Sequence, residues 1–109
     1  MTIWENRVSP VADSARQLLL VDIGNQCILA RCYEDFQHDS LFYRARRLAD
    51  LKTKIFICGA ISEFFRSLVE GYGIQLIPFI RGKADEVLEA YLAESLSNSR
   101  FVMIGCLAH

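Results

Sequence analysis

The stretch KIFICGAISEFF, residues 54–65, has the pattern of a buried strand that turns into a helix. Its first part, Lys54 to Cys58, is almost continuously apolar, which is typical of a strand covered on both faces. Ser62 is a suitable N-cap for the following helix. In open α/β sheets, ligands bind outside the carboxyl ends of strands, where helix N-termini present unpaired N–H groups. The stretch therefore predicts a ligand-binding crevice near Cys58. The alternative is that Cys58 only packs and Gly59 only makes a turn.

The flanking segments extend this pattern into one α/β domain over residues 1–109. Strands over 17–23 and 26–33, around a Gly24-Asn25 turn, predict an antiparallel hairpin. Apolar periodicity and capping signals predict helices over 40–52, 62–70 and 84–95, and strands over 54–58 and 74–80. Helices that alternate with buried strands imply parallel strands joined by right-handed crossovers.

Composition and charge narrow the classes of function. Hydrophobic residues make up 52% of the chain, enough for a core, and a net charge of −1 gives no general attraction for nucleic acid. The apolar runs are far shorter than the roughly 20 residues of a membrane span, and no secretory signal is recognised. We therefore expect a cytoplasmic protein that binds neither membrane nor nucleic acid. Arg44 and Arg47 are expected on one exposed helix face, solvated rather than binding phosphate.

The four cysteines, at positions 27, 32, 58 and 106, do not form a Cys-x-x-Cys pair. Neither a zinc knuckle nor a thioredoxin-like motif is therefore expected. Cys27 and Cys32 are five residues apart on one predicted strand, which points them to opposite faces. We expect both to have packing roles.

Three segments occur in a distinctive order. They are Arg7–Val11 followed by Asp13–Ala15, then Ile57–Ser62, and then Val87–Leu92. Together they resemble the dinitrogenase iron–molybdenum cofactor biosynthesis family, which contains small cofactor carriers. The resemblance implies a ribonuclease-H-like, three-layer α/β/α fold. Its mixed five-stranded sheet would have the order 3-2-1-4-5, with a short strand 1 and with strand 2 antiparallel to the others.

The resemblance also implies a binding crevice between the loops that leave strands 1 and 4. Its lining would come from three loops: Ser9, Pro10 and Asp13; Cys58, Gly59 and Ala60; and Arg81 and Gly82. Better-studied carriers have a His-Phe-Gly-type segment where this chain has Ser9-Pro10-Val11. Strand 1, Met1–Trp4, is shorter than its counterpart in the family. Neighbouring backbone groups would then lack partners unless the polypeptide starts upstream, the sheet is distorted or a homodimer forms.

These features favour a non-catalytic carrier or scaffold for an iron–sulfur or iron–molybdenum-type cluster. Cys58 and Cys106 would supply thiolate ligands, and cofactor-assembly or acceptor proteins would be the partners. The alternative is a small-anion or protein-binding module of the same fold without a metal role. A metal-dependent nuclease is not expected, because carboxylates do not converge at the end of the central strand. Nucleophilic catalysis by Cys58 is not expected, because no histidine is placed to act as its base.

Overall fold

The computed structural model describes residues 1–94, which form strands and helices in the predicted order. The strands are β1 Thr2–Trp4, β2 Arg7–Val8, β3 Gln17–Gly24, β4 Cys27–Asp35, β5 Ile55–Ile57 and β6 Gln75–Ile77. The helices are α1 Leu41–Asp50, α2 Glu63–Gly71 and α3 Ala84–Leu92, with a 3₁₀ turn at Ala12–Ser14. The α/β class is therefore confirmed. Within residues 1–94, none of the helices has the length and apolar character needed to cross a membrane.

Several boundaries differ from the predicted ones. β6 ends at Ile77, before Pro78, because proline has no N–H to pair in a ladder. The hairpin turn lies at Asn25 and Gln26, whose φ values of 52° and 61° fit a two-residue type I′ turn. β2, which forms a short hairpin with β1, was not predicted from the sequence.

The strands form two sheets rather than one continuous ladder. One has the order β2-β1-β3-β4 with antiparallel neighbours, and the other is the parallel pair β5-β6. An isolated parallel bridge between Val11 and Ala60 connects the end of the first sheet to the end of β5. β1 is antiparallel to β3, as expected for strands 1 and 2. The single five-stranded sheet of order 3-2-1-4-5 stays a prediction.

Two buried clusters show that helices pack on both faces of β3 and β5. Successive strand residues point to opposite faces, so Leu18 and Phe56 enter one cluster while Leu19 and Ile57 enter the other. The first cluster packs against α1 and α2, and the second against α3. This arrangement places the carboxyl end of β5 between two helical layers.

The environment of Arg44 corrects one prediction. Arg44 is buried, whereas Arg47 is exposed and pairs with Glu34 at 3.1 Å. The Arg44 guanidinium donates to the carbonyl oxygens of His38 at 2.8 Å and Ala15 at 2.6 Å, and lies 5.1 Å from the Phe36 ring centroid. Helical spacing alone did not reveal these acceptors, which allow an always-charged side chain to be buried.

Cys27 and Cys32 correct another prediction, because both are exposed rather than packed. They lie on β4, which is one of the two edge strands of its sheet and is exposed along most of its length. The amino-acid composition of this segment predicted a strand. It did not show that the strand would be left exposed by the helices.

Candidate functional site

The predicted crevice is formed where the segment Ser9–Ala12 crosses the carboxyl end of β5. Two backbone hydrogen bonds hold it there: Ala60 N–H donates to the Pro10 carbonyl at 2.8 Å, and Ala12 N–H donates to the Ala60 carbonyl at 2.7 Å. We call this junction, Ser9–Ala12 against Cys58–Ala60, the β5 crevice. The structure therefore brings together two of the three predicted loops, and it joins them through direct backbone pairing.

Gly59 is required by the close approach of these two loops. A Cβ atom at this position would lie 2.3 Å from the Ser9 carbonyl oxygen and 2.6 Å from that of Pro10. Both neighbours are backbone atoms, which cannot move aside as a flexible side chain can. Gly59 therefore does more than make a turn, because the close packing of the two loops leaves no room for a side chain.

Cys58 is buried at the end of β5 and takes part in backbone pairing. Its N–H donates to the Ile77 carbonyl at 3.1 Å, and its carbonyl accepts from Ile80 N–H at 3.0 Å. Burial raises the pKa of the Cys58 thiol to about 12. In this closed arrangement the thiol is protonated at neutral pH and is a poor nucleophile or ligand.

Asp13 binds the N-terminal end of α2. Its carboxylate accepts from the Ser62 backbone N–H at 3.0 Å and from the Ser62 hydroxyl at 2.5 Å. The Ser62 oxygen in turn accepts from Phe65 N–H at 3.1 Å, as an N-cap does. A carboxylate of the protein thus occupies the position at which a helix N-terminus would hold an external anion.

The third predicted loop pairs mainly with the β1–β2 hairpin. Val8 N–H donates to the Gly82 carbonyl at 2.9 Å, and Ala84 N–H donates to the Asn6 carbonyl at 2.8 Å. Arg81 is exposed beside this pairing. Arg81 and Gly82 therefore border the β5 crevice through the backbone of Ile80, which bonds to Cys58.

Metal-ligating side chains do not cluster in the part of the chain that the structure describes. Within residues 1–94, no group of three or more His, Cys, Asp and Glu side chains is placed to hold an ion. His38 instead accepts from Ser40 N–H at 3.0 Å and stacks on Tyr43 at a centroid distance of 4.6 Å. Cys106, the second predicted thiolate ligand, lies outside the described residues.

An exposed aromatic patch was missed by sequence analysis. Phe42 on α1 is 61% exposed and Phe64 on α2 is 52% exposed, and their rings meet edge to face at 5.4 Å. Tyr43 is exposed beside Phe42, and we call Phe42, Tyr43 and Phe64 the aromatic patch. Phe64 follows Ser62 by two residues, so the patch lies near the crevice. The doublet Phe64-Phe65 was an available signal, because adjacent helical residues cannot both face one core.

Comparisons with known proteins show the fold. No protein-family model matches the chain, and no curated protein matches its sequence. Among solved structures, the chain is similar to the crystal structure of PH0822. The TM-score is 0.81, with 14% sequence identity over 94% of this chain and 88% of that chain. At this identity the likeness shows a shared α/β fold and nothing about activity.

Proposed function

We propose that the protein is a cytoplasmic, non-catalytic carrier of an iron–sulfur or iron–molybdenum-type cluster. The observation that carries the proposal is the position of Cys58, a thiol at the carboxyl end of β5 where two loops meet. This is the end of a strand at which α/β proteins bind ligands. The family resemblance of the sequence supports the same function. The cluster would be the cargo, and cofactor-assembly or acceptor proteins would be the partners.

The proposal includes the ribonuclease-H-like order 3-2-1-4-5, with β4, β3, β1, β5 and β6 as the five strands. Observed strand pairings support two parts of this order. β3 pairs with both β4 and β1, and β5 pairs with β6. The β5 crevice would then lie where the outgoing loops of neighbouring strands diverge, which is the switch point of such a sheet.

Loading would require the β5 crevice to open. The segment Ser9–Ala12 would separate from Ala60 by breaking two backbone hydrogen bonds, each worth about 0.5–1.5 kcal/mol net. Cys58 would also lose its proton, and a thiol with a pKa of about 12 is ionised in roughly one molecule in 100,000 at pH 7. Metal binding releases that proton, so loading should be favoured as the pH rises. Cys106 would supply the second thiolate.

Anaerobic reconstitution with iron and sulfide tests the proposal. Exposed Cys27 and Cys32 could hold iron adventitiously, so the reference protein carries Cys27→Ser and Cys32→Ser. After desalting, this protein should retain iron and sulfide and absorb visible light through thiolate-to-iron charge transfer. Adding Cys58→Ala should abolish both signals, and adding Cys106→Ala should weaken them. Unchanged iron in the Cys58→Ala protein would show that Cys58 is not a ligand.

The aromatic patch favours a second function, a protein-binding module without a metal role. Clustered exposed apolar side chains mark interaction surfaces, and aromatic residues are enriched in them. The anion-binding form of this function is disfavoured, because Asp13 occupies the start of α2 and Asp85 lies in the first turn of α3.

A second copy of the chain is the first partner to test. Sedimentation equilibrium should show a dimer that Phe42→Ser with Phe64→Ser dissociates. Variants at exposed Tyr72, which lies outside the patch, should leave the dimer intact. A monomer that retains no iron after reconstitution would contradict both the carrier and the homodimer.

A further inference from the structure

β4, Cys27–Asp35, is the longest strand in residues 1–94, and one of its sides has no neighbouring strand there. Ile28 and Glu34 are partly buried, and the other residues of the strand are exposed. An open strand side presents a row of N–H and C=O groups that pair readily with another chain. We call the open side of this strand the β4 edge.

Hydrogen bonds of the neighbouring residues establish which backbone groups face the β4 edge. Phe36, directly after β4, donates its N–H to the Arg16 carbonyl at 2.9 Å and therefore faces β3. On β3, Leu19 bonds to Met1, so its backbone groups point away from β4. Strand residues alternate in the direction of these groups, and both observations give the same outward-facing set. The outward-facing residues of β4 are Arg31, Tyr33 and Asp35.

A β-bulge limits the regular part of the β4 edge. The register of β3 and β4 shifts after Asp22, which leaves Leu29 as an extra residue on β4. Because a bulge interrupts a ladder, regular pairing on the open side runs only from Arg31 to Asp35.

The sequence RCYED, residues 31–35, is complementary to itself in the antiparallel direction. When two copies pair about a two-fold axis at Tyr33, Arg31 of each copy lies opposite Asp35 of the other. Tyr33 then lies opposite Tyr33. All these pairs join outward-facing backbone groups, so each pair exchanges two hydrogen bonds. Opposite charges and paired aromatic rings are favourable across strands. A shift of either copy by two residues shortens the regular ladder and separates the charges.

The side chain of Arg31 is already held on this face within one chain. It donates to the Asp85 carboxylate of α3 at 2.5 Å and stays 40% exposed. A guanidinium has five N–H donors, so Arg31 is able to bind Asp85 and a second carboxylate together. Because Arg31 is positioned beforehand, less side-chain entropy is lost when a second chain binds.

We propose that the β4 edge binds the β4 edge of a second copy of the chain, antiparallel and about a two-fold axis at Tyr33. Residues 31–35 of the two copies form the ladder, which joins their sheets into one continuous sheet. The same surface is used on both copies, so the assembly closes as a dimer. This interface is separate from the aromatic patch, whose residues lie on α1 and α2, and it requires no metal.

A disulfide cross-link tests the register of this pairing. The reference protein is the full chain with Cys27→Ser and Cys106→Ser, in which Cys32 is an exposed thiol. In the proposed register, Cys32 of one copy lies opposite Glu34 of the other, in a pair without mutual hydrogen bonds. The Cα atoms of such a pair are about 4.5 Å apart, which a disulfide spans. Adding Glu34→Cys should raise the yield of disulfide-linked dimer at least roughly tenfold on mild oxidation.

A second exposed thiol placed elsewhere is the matched control. Glu70→Cys, at an exposed position on α2, should leave the yield close to that of the reference protein. Equal yields from the Glu34→Cys and Glu70→Cys proteins would overturn the inference. Equally efficient linkage through Cys32 alone would also overturn it, because the two Cys32 side chains do not face each other in this register.

A charge swap tests the affinity of the pairing. All proteins in this test carry Phe42→Ser and Phe64→Ser, so that a dimer formed through the aromatic patch does not contribute. Asp35→Arg places like charges opposite each other and should raise the dimer dissociation constant at least roughly tenfold in sedimentation equilibrium. Adding Arg31→Asp restores opposite charges across the axis and should lower the constant again. A double variant no tighter than the single one, or a monomer throughout, would overturn the inference.

Amide exchange separates the second copy from another part of the same chain. The outward N–H groups of Arg31 and Tyr33 should exchange slowly in the dimer. In the Asp35→Arg monomer they should exchange at least roughly tenfold faster, while the N–H of Cys32, which faces β3, stays protected. Slow exchange of the outward groups in that monomer would show that residues 95–109 cover the β4 edge, and would overturn the inference.

Discussion

Gly59 fixes how closely the segment Ser9–Ala12 can approach β5. Gly59→Ala would place a Cβ atom against two backbone oxygens and should lower the free energy of unfolding by about 1–3 kcal/mol. Gly71→Ala is the matched control, because no atom lies within 4 Å of its added Cβ and α2 should gain up to about 1 kcal/mol. Urea denaturation checks both variants. A Gly59→Ala protein as stable as Gly71→Ala would refute the close approach.

Cys58 differs from Cys27 and Cys32 in exposure and in chemistry. Brief alkylation of the native protein near neutral pH should modify Cys27 and Cys32 and spare Cys58, because burial both covers its thiol and raises its pKa to about 12. Peptide mass spectrometry gives the extent at each site. Because the unfolded thiol ionises near pH 9, the raised pKa should also lower stability as the pH rises from 9 toward 12. Rapid modification of Cys58 would show that the crevice is open in solution.

The N-terminus of α2 depends on a contact between distant segments. Ser62→Ala removes the N-cap and should cost about 1 kcal/mol, and Asp13→Ala should cost a similar amount because it removes a negative charge and two acceptors there. Since the two side chains bond to each other, the double variant should cost less than the sum of the single variants by at least about 0.5 kcal/mol. Additive effects in urea denaturation would contradict the contact.

Short sequence patterns predicted individual helices and strands better than they predicted how these elements pack against one another. A few neighbouring residues are enough to recognise Ser62 as an N-cap. The same holds for the near-continuous apolar strand before it. The contact of Asp13 with Ser62 spans 49 positions of sequence, and the carbonyls that receive Arg44 come from two other segments. The exposure of Cys32 likewise depends on which strand lies at the edge of the sheet. Spacing along one chain cannot report these contacts.

Within residues 1–94, the fold contains two sheets, and an isolated bridge between Val11 and Ala60 links them at the β5 crevice. The sequence predicted the chain's α/β class and the order of the elements from β3 to α3. A cavity of about 510 Å³ lies between β3 and β5. It could not be predicted, because its walls come from segments that are distant in the sequence.

The buried amine of Met1 should make stability depend on pH in the chain that begins there. Its pKa falls from 8.0 to about 5 on folding, so between these values the unfolded chain binds a proton that the folded chain does not. The free energy of unfolding should therefore rise as the pH rises from 5 to 8, by at most about 4 kcal/mol. Urea titrations across that range measure the rise. A free energy of unfolding that does not change between pH 5 and pH 8 would contradict the buried amine.

If Cys58 holds a metal cluster at the β5 crevice, retention of iron depends on its thiol. The most direct measurement is the iron content per chain after anaerobic reconstitution, in the Cys27→Ser/Cys32→Ser protein with and without Cys58→Ala. We expect retained iron with visible charge-transfer absorption in the first protein and neither in the second. Equal iron in the two proteins, or none in either, would contradict it.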